Sequence, residues 1–221
     1  MPKETFFNLA KEKQERILSA ARIEFSRADL KDASVNQIIK LADIPRGSFY
    51  QYFEDKEDLY FYYLSNLGKQ TKMNFETAFK ESRGDFFVAV ELFSTTFMTM
   101  ILEGPDKEFY GHVFTGMDFH SSDKALPFNH PPHPHHGGPK ELPEFLKTVD
   151  FEKLKLESPE ELMILFKLVM TIFVHTIAEA YKPQEDGTQL SKEEVLRRFN
   201  LRLNWLKYGA YQKPISGKEE K

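Results

Sequence analysis

The 221-residue chain carries a net charge of −4 and no cysteine, which excludes a disulfide scaffold, a thiolate metal site and a cysteine redox switch and fits a reducing cytoplasm. Its length suits a small head with a larger body, or one compact domain. The opening residues lack the charged and apolar blocks of a signal peptide, and the longest apolar run, 162–180, is interrupted by Lys167, Thr171, His175 and Glu179. A buried helix rather than a membrane span is therefore expected, in a cytoplasmic protein.

Asn8 is placed to cap a first helix in which Ile17, Leu18, Ala21, Phe25 and Ala28 recur at helical spacing. Ser34 stands three residues before Gln37, the arrangement of a capping box, and Val35, Ile38, Ile39 and Ala42 then bury one face of a short helix while Asn36, Gln37 and Lys40 remain outside. Asp43 tolerates the left-handed backbone of a sharp turn, and Pro45 is pre-set for the start of the next helix. That helix runs over 46–53, with Phe49 and Phe53 as anchors and Arg46, Ser48, Tyr50 and Gln51 left for contact, which makes it the candidate recognition helix. Although the whole chain is acidic, Lys11, Lys13, Arg16, Arg22, Arg27, Lys31, Lys40 and Arg46 give this first segment a small local excess of cations.

Ser34, Ile38, Ala42, Ile44, Gly47, Ser48, Phe49, Tyr50, Tyr52, Phe53 and Lys56 stand in register and without a gap, and in that pattern the chain resembles the TetR-like transcriptional regulators. Asp43 occupies a position where the family usually has Gly, and Pro45 one where Ser or Thr often caps the recognition helix. The resemblance implies an all-α fold with a three-helix helix-turn-helix head, here residues 1–54, and a helical effector-binding and dimerisation body, 55–212, followed by a tail over 213–221. It also implies DNA-binding residues: Ser34, Asn36, Arg46, Gly47, Ser48, Phe49, Tyr50, Gln51, Tyr52 and Lys56, with Tyr50 and Lys56 on phosphates and Arg46 on a base. The partners it implies are a double-stranded, palindromic DNA operator, a second copy of the chain, and a small-molecule effector that releases the DNA. Resemblance over the first sixty or so residues supplies no effector.

Beyond the head, Asp55 can cap a long helix to about Phe79, the 83–85 break precedes an apolar helix over 86–102, and a short helix follows to about Val113. Six prolines between 127 and 143 and the Gly137-Gly138 pair argue for a long loop over 119–143. Ser158-Pro159-Glu160-Glu161 opens a helix to about Tyr181, and Ser191-Lys192-Glu193-Glu194 opens a last one to about Tyr211. The helix from 158 is apolar on nearly every side, so it needs cover on every side. A second subunit is the expected source, with Phe173, Phe199 and Leu203 at the dimer interface.

Phenylalanines crowd the body, and Phe93, Phe97, Phe114, Phe166, Met170 and Phe173, with His175, are the candidate lining of a pocket for an apolar or amphipathic ligand. Thr95, Thr96, Thr99 and Thr171 are candidate orienting groups. The run 130–136 holds His130, His133, His135 and His136 among prolines. It reads as a solvated loop, with a His-loop metal-binding protein or metal-responsive regulator as the alternative. No phosphate-binding glycine loop, Gly-x-Ser-x-Gly elbow or His-Glu-x-x-His pair occurs; neither an enzyme nor a cofactor is expected.

Overall fold

A computed structural model describes residues 1–115, 142–184 and 187–210. All regular structure among the described residues is helical, as expected. The head contains α1 (Glu4–Phe7), α2 (Lys11–Arg27), α3 (Val35–Ala42) and α4 (Arg46–Tyr52). The body contains α5 (Lys56–Glu81), α6 (Phe86–Glu103), α7 (Lys107–Thr115), two short 3-10 turns (Leu146–Thr148 and Phe151–Lys153), α8 (Pro159–Tyr181) and α9 (Lys192–Tyr208). The 130–136 histidines, most of the expected 119–143 loop and the tail from 213 lie outside the described residues.

Two caps differ from expectation. Asn8 closes α1 as its C-cap, and α2 begins after Ala10 without a side-chain cap. The extra turn of α1 is anchored by Phe6, which is fully buried in the head. Ser34 is the N-cap of α3, but its hydroxyl makes no capping bond. Its backbone N–H instead donates to Glu24 (2.7 Å), and that buried carboxylate fixes the entry to α3. The expected caps at Asp55, Ser158 and Ser191 are present, accepting from the backbone N–H of Asp58, Glu161 and Glu194. Asp85 does the same for Val88 at the start of α6.

The turn before α6 needs its glycine. Gly84 has φ +84, and a Cβ there would stand 3.0 Å from Asp150 Cβ and 3.1 Å from Thr148 O. The Gly84 carbonyl also accepts from Asp150 N at 2.9 Å, so this turn clips the 3-10 segment onto the body.

Two apolar cores result. The head core gathers Phe6, Ile17, Phe25, Ile38, Phe49, Phe53, Leu59 and Tyr63, and the body core gathers residues of α5, α6, α8 and α9. Helix α7 serves both. Phe109 and Val113 lie in the head core, whereas Tyr110 and Phe114, one step around the helix, lie in the body core. Helices α6 and α8 have the length and composition of membrane spans, but Phe86, Phe93, Met98 and Ile101 of α6 and Leu162, Val169, Phe173 and Ile177 of α8 are buried in this core.

Candidate nucleic-acid interface

Helix α3 ends on Asp43, whose left-handed backbone (φ 51°) lets its N–H reach Ile39 O and Lys40 O. Ile44 N then donates to Ile39 O at 3.1 Å, and Ser48 N to Pro45 O at 3.0 Å, so the turn and the first turn of α4 are closed by the backbone alone. Helix α4 has seven residues, too few to persist in isolation. It is held by one face: Phe49 and Phe53 are 0% exposed and pack ring to ring with centroids 5.7 Å apart.

The other face is polar and open. Arg46, Gly47, Tyr50 and Gln51 are exposed, and Ser48 is half-buried. Arg46 Nη1 donates to Asn36 Oδ1 of α3 at 2.7 Å, and its guanidinium lies 5.9 Å from the centre of the Tyr50 ring. Asn36, Arg46 and Tyr50 thus form one patch spanning both helices, with the Arg46 guanidinium held by Asn36. Nothing lies within 4 Å of a Cβ built on Gly47. Glycine is the poorest helix former after proline, and the fold does not require it there. A bare backbone on the outward face is what close approach by another molecule would select.

Three of the sequence-predicted DNA residues sit otherwise. Phe49 and Tyr52 are buried and point inward, because α4 needs both rings to anchor it. The Lys56 ammonium donates to Lys31 O (2.7 Å) and Ala33 O (3.1 Å), stapling the start of α5 to the loop before α3. Sequence reasoning missed Glu24. Only 1% exposed, it accepts two bonds from Arg27 (2.9 and 2.7 Å) besides that from Ser34. The Arg27 guanidinium and the Ser34 N–H hold its carboxyl below the usual range, against the opposing effect of burial. An acid inside an otherwise apolar helical stripe was the available signal.

In the body, Phe93, Phe97, Phe114, Phe166, Met170 and Phe173 come together in the core. Their rings are in contact: the centroid of Phe97 is 5.2 Å from that of Phe93 and 5.6 Å from that of Phe173. The Tyr110 hydroxyl is buried beside this cluster, next to the Thr71 side chain. The Thr71 hydroxyl near it donates to Leu67 O (3.0 Å). Burial pushes the Tyr110 phenol well above its ordinary range.

His175 is not with them. It lies exposed on α8, its Nδ1 3.2 Å from Glu179, which in turn accepts from Arg202 of α9. Thr95, Thr96 and Thr171 are also exposed, and with Thr99 they bond to carbonyls of their own helices. An open cleft of about 290 Å³ lies where the end of α6 and start of α7 meet the α8–α9 junction, lined by Glu103, Lys107, Tyr181 and Lys192 among others. None of the sequence-predicted ligand residues lines it.

The residues expected at the dimer interface are internal as well. Phe173, Phe199 and Leu203 are at most 1% exposed within the subunit, where Phe173 meets Phe199 edge-on at 5.6 Å. The outer stripe of the same two helices is formed by other apolar residues: Ile164 (60% exposed) and Leu168 (45%) on α8, Leu201 (41%) and Trp205 (52%) on α9. The exposed apolar surface of the two helices thus lies on residues other than Phe173, Phe199 and Leu203, which face the subunit's own core.

Residues 17–63 match the family described as bacterial regulatory proteins, tetR family, and residues 85–210 match the tetracyclin repressor-like C-terminal domain. No match is found among the curated proteins. Among solved structures the chain is similar to a TetR family transcriptional regulator from Chloroflexus aurantiacus J-10-FL, at 24% identity over 94% of this chain and 91% of that one, with a TM-score of 0.42.

Proposed function

We propose, from the premise that this chain belongs to the TetR family of DNA-binding, non-enzymatic transcriptional regulators, that it is a cytoplasmic homodimeric repressor released from a palindromic operator by a small apolar or amphipathic molecule. The observation that carries the DNA reading is the outward patch of Asn36, Arg46 and Tyr50 around a bare Gly47, on a helix whose opposite face is locked. Arg46 has the reach and the paired donors to read a guanine, while Tyr50, Ser48 and Gln51 supply hydroxyl and amide contacts to phosphate and neighbouring bases. Two heads then need recognition helices about one DNA turn apart, roughly 34 Å.

The exposed stripe of Ile164, Leu168, Leu201 and Trp205 supports pairing of α8 and α9 with their copies, which would cover it. The aromatic core around Phe93, Phe97 and Phe173, with the buried Tyr110 hydroxyl at its edge, supports a ligand of rings or alkyl chain with a single polar group. Helix α7 is the element that would carry release. It shares its faces between the two cores; the residue before it, Asp106, accepts from Tyr63 of α5, and His112 Nε2 lies 3.3 Å from Ser26 O of the head's α2. A ligand favouring a shifted α7 would bias the head spacing by its differential affinity for the two arrangements.

Selection of binding duplexes from a random pool tests this reading. A palindromic consensus is expected, and its complex should dissociate on titration with one class among fatty-acyl, aromatic and cationic hydrophobic compounds. A non-palindromic consensus, or release only by a polyanionic metabolite, would overturn the corresponding part.

A further inference from the structure

We infer that residues 3–6 are a positioning clamp for α4: they hold the recognition helix in register from its C-terminal end and so contribute to operator selectivity without touching DNA. The inference rests on α4 being the DNA-reading helix. Every helix leaves its last four carbonyls without partners inside the helix. In α4 these belong to Phe49, Tyr50, Gln51 and Tyr52. Phe49 O accepts from Phe53 N at 2.9 Å. The other three are met by the amino-terminal segment: Lys3 Nζ donates to Tyr50 O (2.8 Å), the Thr5 hydroxyl to Gln51 O, and Lys3 N to Tyr52 O (2.8 Å).

Phe6 fixes the segment that supplies these donors. It is 0% exposed, with its ring 4.9 Å from Phe53 and 5.5 Å from Tyr62. A single turn of helix would have little reason to order itself for its own sake. Here it delivers a cation and two neutral donors to the negative end of the α4 dipole. Tyr50 is the residue that couples clamp to DNA face, because its carbonyl is held by Lys3 while its ring sits beside Arg46. Release of those carbonyls would let the last turn of α4 fray, and Tyr50 and Gln51 would lose their fixed direction.

The test uses the full chain, a duplex enriched by wild-type protein from a random pool, and a scrambled duplex of the same length. The probe variants are Lys3→Met with Thr5→Val, and the conservative pair Lys3→Arg with Thr5→Ser. Removal of two side-chain donors should weaken binding to the enriched duplex roughly tenfold. Binding to the scrambled duplex and the slope of log K against log salt should stay unchanged, and amides of residues 50–53 should exchange faster while those of α8 and α9 do not. The conservative pair should restore all of these. A salt slope lower by about one, with both duplexes weakened alike, would make Lys3 a phosphate contact and overturn the clamp. Unchanged α4 exchange, or acceleration equal to that in α8 and α9, would overturn it as well. If wild-type protein enriches no duplex, the DNA reading of α4 fails, whereas the exchange measurement still reports on the clamp.

Discussion

The head and the body solve opposite problems with the same material. In the head, a short helix must present polar groups outward, so its inner face is locked by Phe49 and Phe53 and its terminal carbonyls are all met by hydrogen-bond donors. In the body, α8 and α9 bury Phe173, Phe199 and Leu203 and still leave Ile164, Leu168 and Trp205 outside. Where the head spends its polar groups on direction, the body keeps apolar surface in reserve. The head is organised by which atoms point at solvent, and the body by how much apolar surface its core leaves outside.

The strongest way to break that contrast is within α4 itself. Phe49→Ala should cost about 3–5 kcal/mol of stability in denaturant unfolding, as an aromatic deletion from a filled core does. Tyr50→Ala, one residue on and 42% exposed, should shift stability by less than about 0.5 kcal/mol and act on DNA affinity instead. Equal stability losses would mean that the two faces of α4 are not divided as described. In the body, Leu168→Asp and Trp205→Asp should each yield monomer in light scattering at micromolar protein and weaken operator binding by about 2 kcal/mol or more, since both would bury a charge in the apolar seam. Persistence of an active dimer would move the interface to another face. Arg46→Ala comes next. It should lose roughly 1–3 kcal/mol in operator affinity and relax preference at one base pair, and a variant keeping its full sequence preference would remove Arg46 from base readout.

How far the sequence went follows the same division. The helix-turn-helix was readable because its signals are local: a left-handed Asp43 at the turn, Phe49 and Phe53 four apart, and Asp55 three residues before the N–H it caps. Outward residues of a short helix follow from its inward ones, so Arg46, Tyr50 and Gln51 were legible. The body's faces were not. A helix apolar on nearly every side carries no periodicity to distinguish Phe173, turned to its own core, from Leu168, turned out. His175 was misplaced for the same reason. The Ser34–Glu24 bond and the hydrogen bonds of the residue 3–6 clamp span sequence separations of 10 and of 46 to 49, which no local pattern announces. Lys56 shows a third limit, because its bonds to Lys31 O and Ala33 O, 25 and 23 residues away, have no local signal either.

Glu24 offers the smallest effect and the one that tests the head at its least visible point. Its folded-state pKa is depressed, so the unfolded chain binds more protons through the acidic range. The ion therefore adds stability above the ordinary carboxylate range and loses it as pH falls through the lowered value. Glu24→Gln preserves an acceptor for Ser34 N but removes the charge facing Arg27. That guanidinium is 58% exposed, and solvent screening reduces what the pair is worth. At pH 7 the variant should be less stable by about 1 kcal/mol, the scale of keeping the Ser34 bond while the two bonds from Arg27 lose their charge assistance at a solvent-screened guanidinium. The gap should narrow as pH falls below the ordinary carboxylate range, where the unfolded chain takes up its proton first, and close once the folded carboxylate is protonated too. Urea unfolding of both proteins across that range measures the difference. A gap that stayed constant with pH would mean that Glu24 acts by shape and hydrogen bonding alone, and that the entry to α3 does not depend on its charge.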